Sequence, residues 1–228
     1  MQQLPLGVRL RDRATFDSFV VGDNAELVVT LRSLAGGRAG VGWLWGAGGS
    51  GRSHLLQAVC AAVPRERRVA YLPLATLPPA AEDFFDGWRG FDVICIDDLP
   101  LALGRPATEQ ALFRLYRDVE ERGAALIVTA DAPPVRQSWV LADIGSRFGA
   151  SQVFEVHELD EEQQAEALRG RAAQRGFELP EETLRYLQRR LPRDMRSMCE
   201  LLDALDDAAL AAQRRLTIPF IREVIGDR

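Results

Sequence analysis

The chain has 228 residues, 47% of them hydrophobic and 27% charged, which excludes disorder throughout and supplies enough apolar material for a core. Its net charge of −5 argues against a coat that lives on non-specific phosphate contacts, although a local basic patch remains compatible with it. All 28 basic residues are arginine, so any cationic phosphate ligand must be arginine, and no lysine Schiff base can form.

At roughly 150 residues per domain, the length suits one medium domain and a small second unit. Cys60, Cys95 and Cys199 lie far apart among apolar neighbours, without zinc spacing, and read as buried thiols of a reducing compartment. No stretch approaches 18 continuous apolar residues, and the N-terminus lacks the apolar segment of a signal peptide. A soluble, cytoplasmic protein is expected.

In chain order, Asp23 and Glu26 suggest a capping box before a helix that carries Leu27, Leu31 and Leu34. Short apolar runs at 41–45, 69–72, 93–96, 126–129 and 153–156 read as strands. Helical spacing fills 54–63 and 108–122. In the second of these, Ala111, Leu112, Leu115, Tyr116 and Val119 share one face. Strands alternating with helices predict βαβ units and a parallel sheet. Beyond about residue 157 the strand signals stop. Asp160 suits an N-cap, with Glu161 and Glu162 in the first turn, and further helices are expected at about 181–190, 193–213 and 217–226. Pro180 and Pro192 punctuate them.

The strongest chemical signal is Gly46-Ala-Gly48-Gly49-Ser50-Gly51-Arg52-Ser53, between a strand and a helix. Such a P-loop wraps backbone N–H groups around phosphate oxygens, and the helix N-terminus adds partial positive charge. Ser53 stands where a hydroxyl would hold Mg²⁺. Arg52 replaces the usual lysine; its guanidinium is planar and longer, and cannot reproduce a compact ammonium. A second signal is the apolar strand that ends in Asp97-Asp98. There the first acid supports the metal ion and the second can orient water.

With those elements in place, six segments together resemble the ATPase core of the bacterial replication initiator DnaA. They are Thr15 to Asn24, the loop and helix from Gly51 to Ala58, Ile96-Asp97-Asp98, Leu126 to Pro134, Gly145 to Gly149, and Asp194-Met195-Arg196. Among DnaA-like proteins the chain is most similar to the free-standing Hda family, which shares a P-loop arginine and the run Arg215 to Phe220. The resemblance implies an α/β fold: an AAA+ P-loop NTPase core with a five-stranded parallel sheet and a C-terminal helical lid. Residues 1–14 would be a flexible tail, 15–157 the core and 158–228 the lid. With the chain stopping at Arg228 after the lid, no DNA-binding helix-turn-helix domain is expected.

The resemblance also assigns roles. Val20, Val21 and Asn24 would lie beside the adenine, and Gly46, Gly48, Gly49, Ser50, Gly51, Arg52, Ser53 and His54 would form the phosphate site. Asp131 would be sensor 1 and Arg196 sensor 2. Arg147 would be an arginine finger that acts in trans on DnaA. Gln3, Leu4 and Leu6 fit a shortened sliding-clamp peptide. The implied function is a nucleotide-bound regulator, with ADP or ATP and Mg²⁺, that makes DnaA hydrolyse its ATP on the sliding clamp. DNA would be met mainly through the clamp, and a homo-oligomer is compatible. Weak intrinsic ATPase activity is expected. The alternatives are a loader or remodeller of another replication protein driven by its own hydrolysis, and a non-catalytic adaptor. The arginines at 185, 189, 190 and 193 read mostly as a solvated face.

Overall fold

The computed structural model describes residues 14–77, 82–174, 176, 179–190 and 195–212. Its centre is a five-stranded parallel sheet in the order β2-β3-β4-β1-β5. The strands are β1 (Gly40–Trp45), β2 (Val69–Pro73), β3 (Val93–Asp97), β4 (Ala125–Ala130) and β5 (Gln152–Glu155). Every residue of β3 and β4 is buried, as continuous apolar runs in a sheet covered on both faces require.

Side chains alternate between two cores. Trp43, Ile94, Ile96, Leu126 and Val128 face one cluster, which α3 (Pro106–Arg122) and α4 (Ala142–Gly149) close through Leu112, Leu115, Ile144 and Phe148. Leu44, Val93, Cys95 and Ile127 face the other, which α1 (Ala25–Ala35) and α2 (Arg52–Ala62) close through Leu31, Leu34, Leu55 and Val59. Helices α5 (Glu161–Gln174), α6 (Glu181–Arg190) and α7 (Met195–Ala212) gather around a third cluster that includes Leu168, Leu184, Leu187, Leu202 and Leu205.

Several details correct the sequence reading. The N-cap of α1 is Asn24, not Asp23, and it makes no side-chain cap bond. Its amide spans the fold instead: the nitrogen donates to the His157 carbonyl at 3.1 Å, and the oxygen accepts from the His157 N–H at 2.8 Å. The proposed Asp160 cap is present as a reciprocal pair. Asp160 accepts from the Gln163 N–H at 2.8 Å, and the Gln163 side chain accepts from the Asp160 N–H at 3.1 Å.

Helix α4 has no counterpart among the helices expected from the sequence. Trp139 stacks on Phe148 with ring centroids 5.6 Å apart, and a Cβ at Gly145 would meet the Trp139 ring at 2.7 Å. Of the cysteines, Cys95 is buried, whereas Cys60 and Cys199 are half-buried. The helix expected at 217–226 lies outside the described residues. No helix among the described residues is long and apolar enough to cross a membrane.

Candidate nucleotide site

The C-terminal ends of β3, β4 and β1 lie side by side, so the chain turns that follow them meet on one edge of the sheet. Ligands of open α/β sheets bind outside such carboxyl ends. The glycine loop joins β1 to α2 there. Gly51 caps α2 with φ +99°, a left-handed conformation that side chains rarely adopt, and a Cβ on it would meet the Phe19 ring at 2.8 Å.

A cleft of 210 Å³ opens over this helix end. Gly49, Ser50, Gly51, Arg52, Ser53 and His54 form its floor, and Ser18, Phe19, Val20 and Asp98 its sides. The lid helices contribute Ala167, Arg171, Met195 and Cys199 to the opposite wall. The Ser50 hydroxyl is buried without a hydrogen-bond partner, an acceptor or donor held ready inside a phosphate-type loop. His54 is committed to the N-terminal segment, with Nε2 2.9 Å from the Thr15 carbonyl and 3.3 Å from the Ser18 hydroxyl.

Behind the cleft, the acidic turn is held by hydroxyls. The buried Asp97 accepts from Thr129 at 2.5 Å through Oδ1 and from Tyr71 at 2.8 Å through Oδ2. The same Thr129 oxygen accepts from the Asp98 N–H at 2.9 Å. Gln57 of α2 donates to the Tyr71 oxygen at 3.3 Å. Burial, followed by the Asp97 charge, holds the Tyr71 phenol above its ordinary value, so it stays a donor. Asp98 itself adopts φ 58°, the left-handed region, at the bend after β3.

The predicted residues separate into three groups. Val20, Gly49 through His54 and Asp98 line the cleft, with Asp97 directly behind. Gly46, Gly48, Val21, Asn24, Asp131 and Arg147 do not belong to its lining. A Cβ at Gly46 would lie 2.7 Å from the Val156 carbonyl, so this glycine serves close packing of the loop on the chain after β5. Val21 faces a neighbouring hollow between residues 17–22 and α5. Both amide atoms of buried Asn24 are engaged with the His157 backbone. Exposed Asp131 accepts from Gln137 at 3.3 Å.

Arg52 donates to the Ala130 carbonyl at the end of β4. Its guanidinium therefore bridges the glycine loop and the strand that precedes Asp131. Arg147 sits in α4, paired with Glu120 at 2.7 Å and lying over the Phe113 and Tyr116 rings at 5.3 and 5.8 Å. Arg196 begins α7, and its side chain, like Gln3, Leu4 and Leu6, lies outside what is described. The Arg185 side chain of the expected solvated face pairs with Glu181 at 2.9 Å. Sequence reasoning missed Tyr71, Thr129 and Arg171. The first two carry no motif signal beyond a hydroxyl inside an apolar strand.

Comparison with known proteins gives this geometry a lineage. The family model of the bacterial DnaA ATPase domain matches residues 10–155, and that of the Hda lid domain matches residues 160–225. Domain III of the replication initiation protein DnaA from Thermotoga maritima superposes with a TM-score of 0.79 at 22% identity, over 93% of this chain and 95% of that one. AMPPCP-bound DnaA from Aquifex aeolicus gives 0.66 at 21% identity, over 86% and 65%. The RuvB Holliday junction branch migration motor of Thermotoga maritima gives 0.65 at 16% identity, over 95% and 72%. The DnaA match spans more than half of the chain, the Hda lid match follows it, and the chain belongs to the DnaA-related AAA+ family as an Hda-like member.

Proposed function

We propose that the chain binds an adenine nucleotide in the cleft between sheet and lid and, so loaded, stimulates hydrolysis of the ATP carried by DnaA. It would act in the cytoplasm with the DNA-bound sliding clamp and limit re-initiation of replication. The observation that carries this reading is the position of Arg147. Its side chain is 40% exposed, outside the described lining of the chain's own cleft, and set on a helix packed against an aromatic cluster. A partly exposed guanidinium on a packed helix, exchanging Glu120 for a phosphate, suits stabilisation of phosphoryl-transfer charge in a neighbour's site, an effect worth on the order of 10³–10⁵ in rate.

The chain's own residues would bind rather than turn over. Backbone N–H groups of Gly49 to Ser53 and the α2 N-terminus would hold phosphates, with the base toward Val20 and the hollow beside it. Ser53 and Asp97 supply hard oxygen donors of the kind Mg²⁺ takes. Both Asp97 oxygens accept hydroxyl protons yet keep a lone pair, so this carboxylate could still support the ion. When bound, Mg²⁺ neutralises phosphate charge. Asp98 would orient water, Asp131 would act as sensor 1 from the end of β4, and Arg196 as sensor 2 from α7. Arg52, tied to the Ala130 carbonyl, lacks the compact ammonium of a hydrolytic P-loop. Slow intrinsic turnover follows, and ADP as working ligand is what the resemblance to Hda implies. Gln3, Leu4 and Leu6 would dock in the clamp's apolar pocket.

The test is single-turnover hydrolysis of ATP preloaded on DnaA, with clamp-loaded DNA present. Addition of the wild-type protein accelerates hydrolysis, and Arg147→Ala abolishes the acceleration while clamp binding persists. Equal acceleration by Arg147→Ala overturns the finger.

A further inference from the structure

The lid's share of the cleft is apolar with one exception. Leu159, Ala167, Met195 and Cys199 line it, and among them stands Arg171. Ala167 and Arg171 are four residues apart, so they occupy one face of α5 on successive turns. That face meets the glycine loop across the opening. Half-buried Arg171 thus brings a guanidinium into a wall that otherwise offers no charge among its described residues.

Charge counting shows what such a group serves. The described lining holds two arginines, Arg52 and Arg171, and one carboxylate, Asp98. Arg52 already donates to the Ala130 carbonyl. Among the described residues, the side-chain lining without Arg171 is formally neutral, and the partial charge of the α2 N-terminus is what favours an anion. A polyphosphate chain needs more than that, and guanidinium is the side chain best shaped to take phosphate oxygens pairwise.

We infer that Arg171 is a direct ligand of the phosphates of the bound nucleotide. It is a contribution of α5 to the phosphate site, separate from that proposed for Arg196 on α7, reaching across toward the loop at 49–53. This rests on the nucleotide reading above. Its consequence is that the phosphate chain ties lid to core: a nucleotide held by both α2 and α5 fixes their relative orientation, and adenosine does not.

Displacement of a fluorescent ADP from the full-length protein tests this, with unlabelled ADP and adenosine as competitors. Wild type, Arg171→Gln and Arg171→Lys are compared. Loss of a charge-assisted contact weakens ADP binding by about ten- to hundredfold in Arg171→Gln. Adenosine affinity stays within about twofold, the ligand-free melting temperature is unchanged, and Arg171→Lys recovers part of the loss. Unchanged ADP binding in Arg171→Gln overturns the inference alone. So does an equal loss for ADP and adenosine, because it makes Arg171 a base contact or a structural residue. Failure of the wild-type protein to bind ADP overturns the nucleotide reading itself.

Discussion

Thr129→Val removes one hydroxyl from the middle of the site and keeps the β-branched shape that suits a strand. Thr129 is fully buried, and its oxygen works in both directions, donating to Asp97 at 2.5 Å and accepting from the Asp98 N–H at 2.9 Å. Losing a hydrogen bond to a charged acceptor costs about 1.5–3 kcal/mol, and a stranded backbone N–H about 1–3 kcal/mol. The extra methyl offsets roughly 0.8 kcal/mol. The net expectation is a loss of about 2–5 kcal/mol, a sizeable fraction of the total of about 5–15 kcal/mol typical of a folded protein. Urea unfolding at pH 7 and 25 °C measures it. Thr129→Ser is the companion variant: it keeps both hydrogen bonds, loses a buried methyl, and should cost only about 0.5–1.5 kcal/mol. A valine variant as stable as the serine variant would refute the claim that this hydroxyl holds the acidic turn.

Other expectations follow from neighbouring contacts. Tyr71 keeps its proton in the folded chain at pH values where an unfolded tyrosine, titrating near about 10, has lost it. Its contribution is therefore fully present below about pH 10 and declines as pH rises toward the folded value; circular-dichroism melts of Tyr71→Phe should show a shallower alkaline decline than wild type. Glu109, fully buried, accepts from the N–H groups of Gly104 at 2.8 Å, Val140 at 2.9 Å and Leu141 at 2.7 Å. Glu109→Leu strands those donors and should cost about 3 kcal/mol or more by the same urea assay, whereas an effect below about 1 kcal/mol would show that the loops satisfy themselves elsewhere. Gly51→Ala forces a side chain into a left-handed residue against Phe19. ADP binding measured by calorimetry should weaken at least about tenfold, and wild-type affinity would contradict the loop geometry.

Much of the core was legible because burial on both faces leaves a local trace. The runs 93–96 and 126–128 are apolar without alternation, as a strand covered on both faces requires, and the glycine loop and acid pair carry their context with them. What escaped was decided at a distance. Gly145 and Gly149 weaken any helix signal for α4, and only packing of Ile144 and Phe148 under Trp139 makes a helix there. The Asp23–Glu26 pattern placed the cap one residue early, and nothing in it revealed that Asn24 has a partner 133 residues further on. Arg171 lies in a helix of ordinary polarity, and its place in the cleft depends on how α5 crosses the glycine loop, which periodicity does not encode.

The Asn24 amide has a geometric consequence for the molecule. It grips both the N–H and the carbonyl of His157, and the preceding Val156 N–H donates to the Trp45 carbonyl at 2.7 Å. The backbone is therefore anchored through residue 157 and taken up again by the Asp160–Gln163 pair at the head of α5. Between them lie Glu158 and Leu159, whose carbonyl accepts from the Gln164 side chain at 2.9 Å, so this two-residue link helps to set the tilt of α5 against the sheet. An axle this short turns a small local rotation into a large sweep at the far end of a 14-residue helix, while leaving the glycine loop undisturbed. Lengthening the chain by a residue between 157 and 160 would re-aim the lid, and Arg171 with it, without altering the glycine loop.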